Sequence, residues 1–177
     1  MHTLLRGRAI VLFLPQPEPD PVVTLRRQFD PLFESLRAHI TLVFPFESDL
    51  SPDALRRHVE DAVYGSGPIT VRLAEVTGAR DVVDADLRYL FLNVKRGNDA
   101  LVKLHDRLYR GPLEPYVSRE FPYTPHVTLG RLNGNTAFRA ALQVASSAAI
   151  AFEATLDTVT VFDARTRTVE TQVMLLP

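Results

Sequence analysis

The chain has 177 residues, with 20 Lys+Arg against 21 Asp+Glu, five His, and neither Cys nor Trp. That length fits one domain, and 46% hydrophobic with 23% charged residues excludes a disordered or low-complexity chain. The missing cysteine excludes a disulfide scaffold, Cys-ligated zinc and a thiol nucleophile, and a net charge of −1 leaves any polyanion to be held by a local site.

The apolar run Ala9–Leu14, closed by Pro15, Pro17 and Pro19, predicts a buried strand. It falls well short of the roughly 20 residues that span a bilayer, and no small-residue cleavage site follows it. A soluble, cytoplasmic protein is expected. Asp20-Pro21 offers an N-cap and a first-turn proline for a helix running to about Phe29. His39–Phe46, rich in β-branched and aromatic residues, predicts a strand. Ser51-Pro52 repeats the cap signal for a helix that stops near Gly65. Ile69–Val76 alternates as a strand does, and Asp81–Asp86 is an acidic loop.

The second half repeats the order. Tyr89–Val94 predicts a strand and Asn98–Tyr109 a helix, followed by a long loop over Glu114–Pro125. His126–Leu132 is a strand, Thr136–Ser146 a helix, and Phe152–Phe162 one alternating strand. A last strand near Val169–Leu175 follows a turn at Ala164–Arg167. The class is α+β, a duplicated β-α-β-α-β unit with one extra strand. No linker interrupts it, so residues 1–177 read as a single bilobal domain with approximate lobes 1–85 and 86–177.

Chemistry enters through His39-Ile40-Thr41-Leu42 and His126-Val127-Thr128-Leu129, the same His–apolar–Thr–apolar pattern in the third element of each half. Composition alone would give two such matches among five His only roughly a few times in a thousand. On a strand, residues i and i+2 share a face. Each motif therefore points His and Thr one way and two apolar side chains into the core. Two such strands side by side would gather two imidazoles and two hydroxyls. Imidazole titrates near ~6.5 and so supplies a general base or a general acid. Hydroxyls donate hydrogen bonds to anionic oxygens. That set suits phosphodiester cleavage or transfer without a metal.

The stretches Ala38-His39-Ile40-Thr41-Leu42-Val43-Phe44-Pro45-Phe46 and Pro125-His126-Val127-Thr128-Leu129-Gly130 resemble the motifs of the 2H phosphoesterase superfamily, in particular its 2′-5′ RNA ligase/cyclic phosphodiesterase branch. The resemblance extends over essentially the whole chain in length, element order and motif placement. It implies two largely antiparallel sheets with outer helices and a central cleft. It further implies hydrolysis of 2′,3′-cyclic phosphates, 2′-5′ ligation through the same site, or both. Carried over, His39 and His126 become the acid/base pair, and Thr41 and Thr128 the phosphate-binding hydroxyls. The expected partners are RNA termini or small cyclic nucleotides, with no cofactor, metal, membrane or protein partner, and the expected state is a monomer. A module that binds RNA or a nucleotide without turnover is the rival reading from another class. Ala38 departs from the pattern, since proline commonly precedes the first motif as Pro125 precedes the second.

Further candidates lie near the motifs. Arg37 could share the face of His39, Tyr123 could touch phosphate or a base, and Arg131 could contact phosphate. Phe44 and Phe46 could stack a nucleobase, although packing is the favoured reading for both. The Glu114–Pro125 loop could cover the cleft. His58 and His105 sit on helices and are expected to be exposed. Gly65-Ser66-Gly67 lacks the remaining elements of a phosphate loop and reads as a helix stop.

Overall fold

The computed structural model describes residues 7–81, 83–118 and 122–177. The elements run β1 (Arg8–Phe13), α1 (Asp20–Phe29), β2 (His39–Phe46), α2 (Pro52–Val63), β3 (Ile69–Arg80), β4 (Leu87–Arg96), α3 (Asn98–Leu108), a 3₁₀ turn (Gly111–Tyr116), β5 (His126–Asn133), α4 (Asn135–Ser147), β6 (Ala151–Leu156), β7 (Thr158–Asp163) and β8 (Thr168–Met174). The doubled β-α-β-α-β order is therefore present. The eight strands form one antiparallel sheet in the order β6-β3-β4-β5-β2-β1-β7-β8.

That sheet consists of two four-stranded halves joined at its centre, where β2 and β5 pair only at Ile40↔Val127. One correction concerns its edges. Phe152–Phe162 is two strands, because the chain leaves β6, which pairs with β3, and enters β7, which pairs with β1. Asp157 is the crossing point, and its carbonyl accepts from the Leu175 amide at 2.7 Å. Within the sheet, β3 lies beside β4 while β7 and β8 return to β1.

Local chemistry accounts for most boundaries. Ser51 caps α2 by accepting from the Ala54 amide at 3.2 Å, with Pro52 in the first turn. The stop after α2 follows as expected, with Gly65 at φ +70°. Helix α1 begins one residue earlier than its sequence signal suggests. Asp20 lies inside the first turn, and the Pro19 carbonyl takes the Val22 and Val23 amides in place of a side-chain cap.

One face of the sheet carries the core. Ile10, Leu12, Ile40, Leu42, Val127 and Leu129 are fully buried there with Val22 and Leu25 of α1, Leu55 and Val59 of α2, Leu101 and Leu104 of α3, and Ala141 and Ala145 of α4. Each large aliphatic side chain so buried contributes about 1.5–3 kcal/mol. Helix α1 seats on β5 because Gly130 has no side chain. A Cβ there would come within 2.7 Å of Phe29 Cβ. With all four helices contributing to that core, the opposite face of β2 and β5 is left half-exposed.

Candidate active site

The two motif strands share one burial sequence. His39 and His126 are half-buried, Ile40 and Val127 buried, Thr41 and Thr128 half-buried, and the next two residues of each strand buried. Extending the Ile40↔Val127 pairing sets His39 across from Thr128 and Thr41 across from His126. Facing side chains in such a pair have Cβ atoms about 4.5–5.5 Å apart, with diagonals of about 7–8 Å. The four predicted residues thus form one patch, with the two imidazoles on its diagonal.

Each imidazole is oriented the same way. His39 Nδ1 donates to the Arg37 carbonyl at 2.7 Å, and His126 Nδ1 donates to the Thr124 carbonyl at 2.8 Å. A carbonyl can only accept, so Nδ1 carries the hydrogen and Nε2 of the neutral ring is the free base. Desolvation holds His39 down at about 4, assisted by the positive field of Arg26. Desolvation also lowers His126. Both rings are therefore biased towards the neutral form.

Aromatic side chains flank the pair. Phe13 meets His39 edge-on with centroids 6.1 Å apart, and Phe91 stacks on His126 at 3.6 Å. Neither was singled out in the sequence. The alternation of Tyr89, Phe91 and Asn93 against buried Leu90, Leu92 and Val94 carried the signal for Phe91.

The weaker candidates separate clearly. In β2 the register slips between the pairs Val11↔Thr41 and Ile10↔Val43, and in β5 between Phe91↔Thr128 and Leu90↔Gly130. One extra residue in each strand turns the side chain five positions after each His onto the motif face. Those residues are Phe44, 41% exposed, and Arg131, beside Tyr89 with its guanidinium 6.0 Å from that ring. The Nε of Arg131 is buried without a hydrogen-bond partner among the described residues. Phe46 is core, 3% exposed and packed on Tyr116. The Arg37 guanidinium is engaged by the Leu14 carbonyl at 2.7 Å and lies 5.0 Å from the Phe13 ring, so its direct service to the site is the carbonyl that orients His39.

Tyr123 spends its hydroxyl on the Thr41 carbonyl at 2.7 Å, and burial pushes its pKa up and keeps it a donor. Two histidines expected to be exposed are not. His105 is 9% exposed and stacked on Tyr123, and half-buried His58 bonds the Leu108 carbonyl at 2.7 Å, tying α2 to α3. The proposed cover over the cleft, Glu114–Pro125, includes residues 119–121, which lie outside the described residues. Among the described residues no three His, Asp or Glu side chains converge as a metal site requires, and no helix is long and apolar enough to cross a membrane.

Ala38 has a structural role of its own. Its carbonyl accepts from Leu14 at 2.9 Å, as that of Pro125 accepts from Val94 at 3.3 Å. Its amide donates to the well-buried Glu18 carboxyl at 3.1 Å, a bond that proline cannot make. Ala38→Pro should therefore destabilise the protein by about 1–3 kcal/mol. At about 2–4 °C per kcal/mol for a chain of this size, that loss is visible in Tm. An unchanged Tm would show that the Glu18 anchor contributes nothing.

Comparison with known proteins now defines the class. The fold is that of Kluyveromyces marxianus Usb1, with a TM-score of 0.58 at 13% identity over 95% of this chain and 97% of that one. A second solved structure, described as a phosphoesterase, gives a TM-score of 0.50 at 16% identity over 97% and 99%. In sequence, a Bacillus pumilus (strain SAFR-032) protein named "Putative phosphoesterase" is 28% identical over 69% of this chain and 68% of its own. A Geobacillus kaustophilus (strain HTA426) counterpart is 27% identical over 69% and 67%. The family model of the 2′-5′ RNA ligase superfamily matches residues 13–168, so the chain belongs to that superfamily.

Proposed function

We propose that this protein is a metal-independent phosphoesterase that opens 2′,3′-cyclic phosphates on RNA ends or small nucleotides. The observation that carries the reading is the β2–β5 pairing at Ile40↔Val127, whose register, extended by one residue each way, sets His39 across from Thr128 and Thr41 across from His126 on one half-exposed face. The phosphoesterase names of the sequence relatives and the superfamily itself support it.

In this reading the phosphate sits between the motifs, and the Thr41 and Thr128 hydroxyls donate to its non-bridging oxygens. Arg131, turned onto the same face, adds a cation that suits phosphate. His39, held the more firmly neutral by desolvation, takes a proton from water through Nε2. The water oxygen bonds to phosphorus, the bond to the ribose 3′ oxygen breaks, and His126, entering as the imidazolium, gives its Nε2 proton to that oxygen while His39 leaves protonated. The product is a 2′-phosphomonoester.

The test is product analysis on a 2′,3′-cyclic mononucleotide in EDTA. The expected result is a 2′-phosphate at an undiminished rate. A 3′-phosphate product, or loss of turnover in EDTA, would sink the mechanism. Two RNA fragments joined by a 2′-5′ bond would instead mark the reverse transesterification, which uses the same acid and base.

A further inference from the structure

We infer that Tyr123 is a positioning residue that sets the spacing between the two His-x-Thr motifs; the inference rests on the proposed phosphoesterase reading. The central joint of the sheet poses a structural problem. Strands β2 and β5 must hold four side chains within a few ångströms, yet their ladder consists of the single pair Ile40↔Val127. At Thr41 the backbone partner on the β5 side is replaced by a side chain, the Tyr123 hydroxyl, 2.7 Å from the Thr41 carbonyl. Tyr123 lies three residues before His126, on the chain entering β5. Its hydrogen bond is therefore a rung from the lead-in of one motif to the main chain of the other.

The rung is braced from below. The Tyr123 ring lies flat on His105, with centroids 4.0 Å apart and planes 10° from parallel. His105 is buried, and its Nδ1 lies 2.9 Å from the Asp106 carboxylate. Tyr109, edge-on to His105 at 4.9 Å, accepts from the Phe44 amide through its own hydroxyl oxygen at 3.0 Å. Two tyrosines standing against α3 thus supply the main-chain partners of β2 on either side of its register slip. Only the Tyr123 bond reaches a motif residue. With its hydroxyl committed to a carbonyl and its ring to His105, Tyr123 acts through Thr41 and not on the substrate.

Tyr123→Phe removes the hydroxyl and keeps the stacked ring. With a 2′,3′-cyclic mononucleotide, kcat should fall by about tenfold or more while KM changes by less than about threefold, because small displacements at a reacting centre act chiefly on the rate. Both limbs of the pH profile should remain, since Tyr123 exchanges no proton. A crystal structure of the variant should show the Thr41 main chain displaced relative to Thr128. Ser51→Ala, which removes the distant cap of α2, serves as the control and should lower Tm without lowering kcat. Undiminished kcat in Tyr123→Phe, loss of one pH limb, an unmoved Thr41, or an equal fall in kcat for Ser51→Ala would overturn the inference. Absence of turnover by the wild-type protein would instead sink the phosphoesterase reading, and this inference with it.

Discussion

Replacing either His39 or His126 with alanine is expected to lower kcat/KM on a 2′,3′-cyclic phosphate by about 10²–10⁴-fold, the usual contribution of one positioned acid or base. At 1.36 kcal/mol per decade this is about 3–5 kcal/mol of transition-state stabilisation per imidazole. The loss should fall mainly on kcat, because proton transfer develops in the transition state and adds little to ground-state binding. The double variant should sit close to the weaker single variant and far above the product of the two losses, since neither proton transfer helps without the other. His58→Ala provides the contrast. It frees a helix carbonyl, should lower stability by about 1 kcal/mol, and should leave kcat unchanged. Turnover within threefold of wild type in both motif variants would eliminate the two-imidazole mechanism.

The sequence carried the motif faces because their period is a backbone property. His and Thr at i and i+2 need only an extended strand to share a face, and Ile40, Leu42, Val127 and Leu129 need only a core to pack against. The doubled element order was legible for the same reason, with prolines and glycines punctuating each half. What remained illegible depends on contacts between distant segments. The split of Phe152–Phe162 at Asp157 follows from two partner strands, β3 and β1, that lie on opposite sides of the joint. A period of two cannot reveal an inserted residue. Strict alternation placed Phe44 with Ile40 and Leu42, whereas the register slip exposes it and buries Val43. Tyr123 and Arg37 illustrate a further limit. Proximity to a motif was readable, but the hydrogen bonds that direct their side chains away from the substrate face depend on Leu14, Thr41 and the packing of α3.

The pH dependence should bear the mark of two desolvated imidazoles. With His39 held at about 4 and His126 below its ordinary 6.5, the form with one neutral and one protonated ring is populated only in mildly acidic solution. The profile of kcat/KM, which reports the free enzyme, should rise from about pH 4 and turn down before pH 6.5. Once bound, the phosphodiester places a negative charge beside the rings and favours imidazolium. The alkaline limb of kcat should therefore lie at higher pH than that of kcat/KM. Stability must follow the same protons. Each ring binds a proton less readily folded than unfolded, so falling pH favours the unfolded chain from about 6.5 down to about 4. Urea midpoints should fall between pH 7 and pH 5, and His39→Ala should flatten that decline by removing the group with the more depressed value. An alkaline limb of kcat/KM at or above pH 6.5, with urea midpoints indifferent to pH in this window, would show that the rings are solvated as freely as an exposed histidine. Acid–base chemistry at this site would then need another source for its proton.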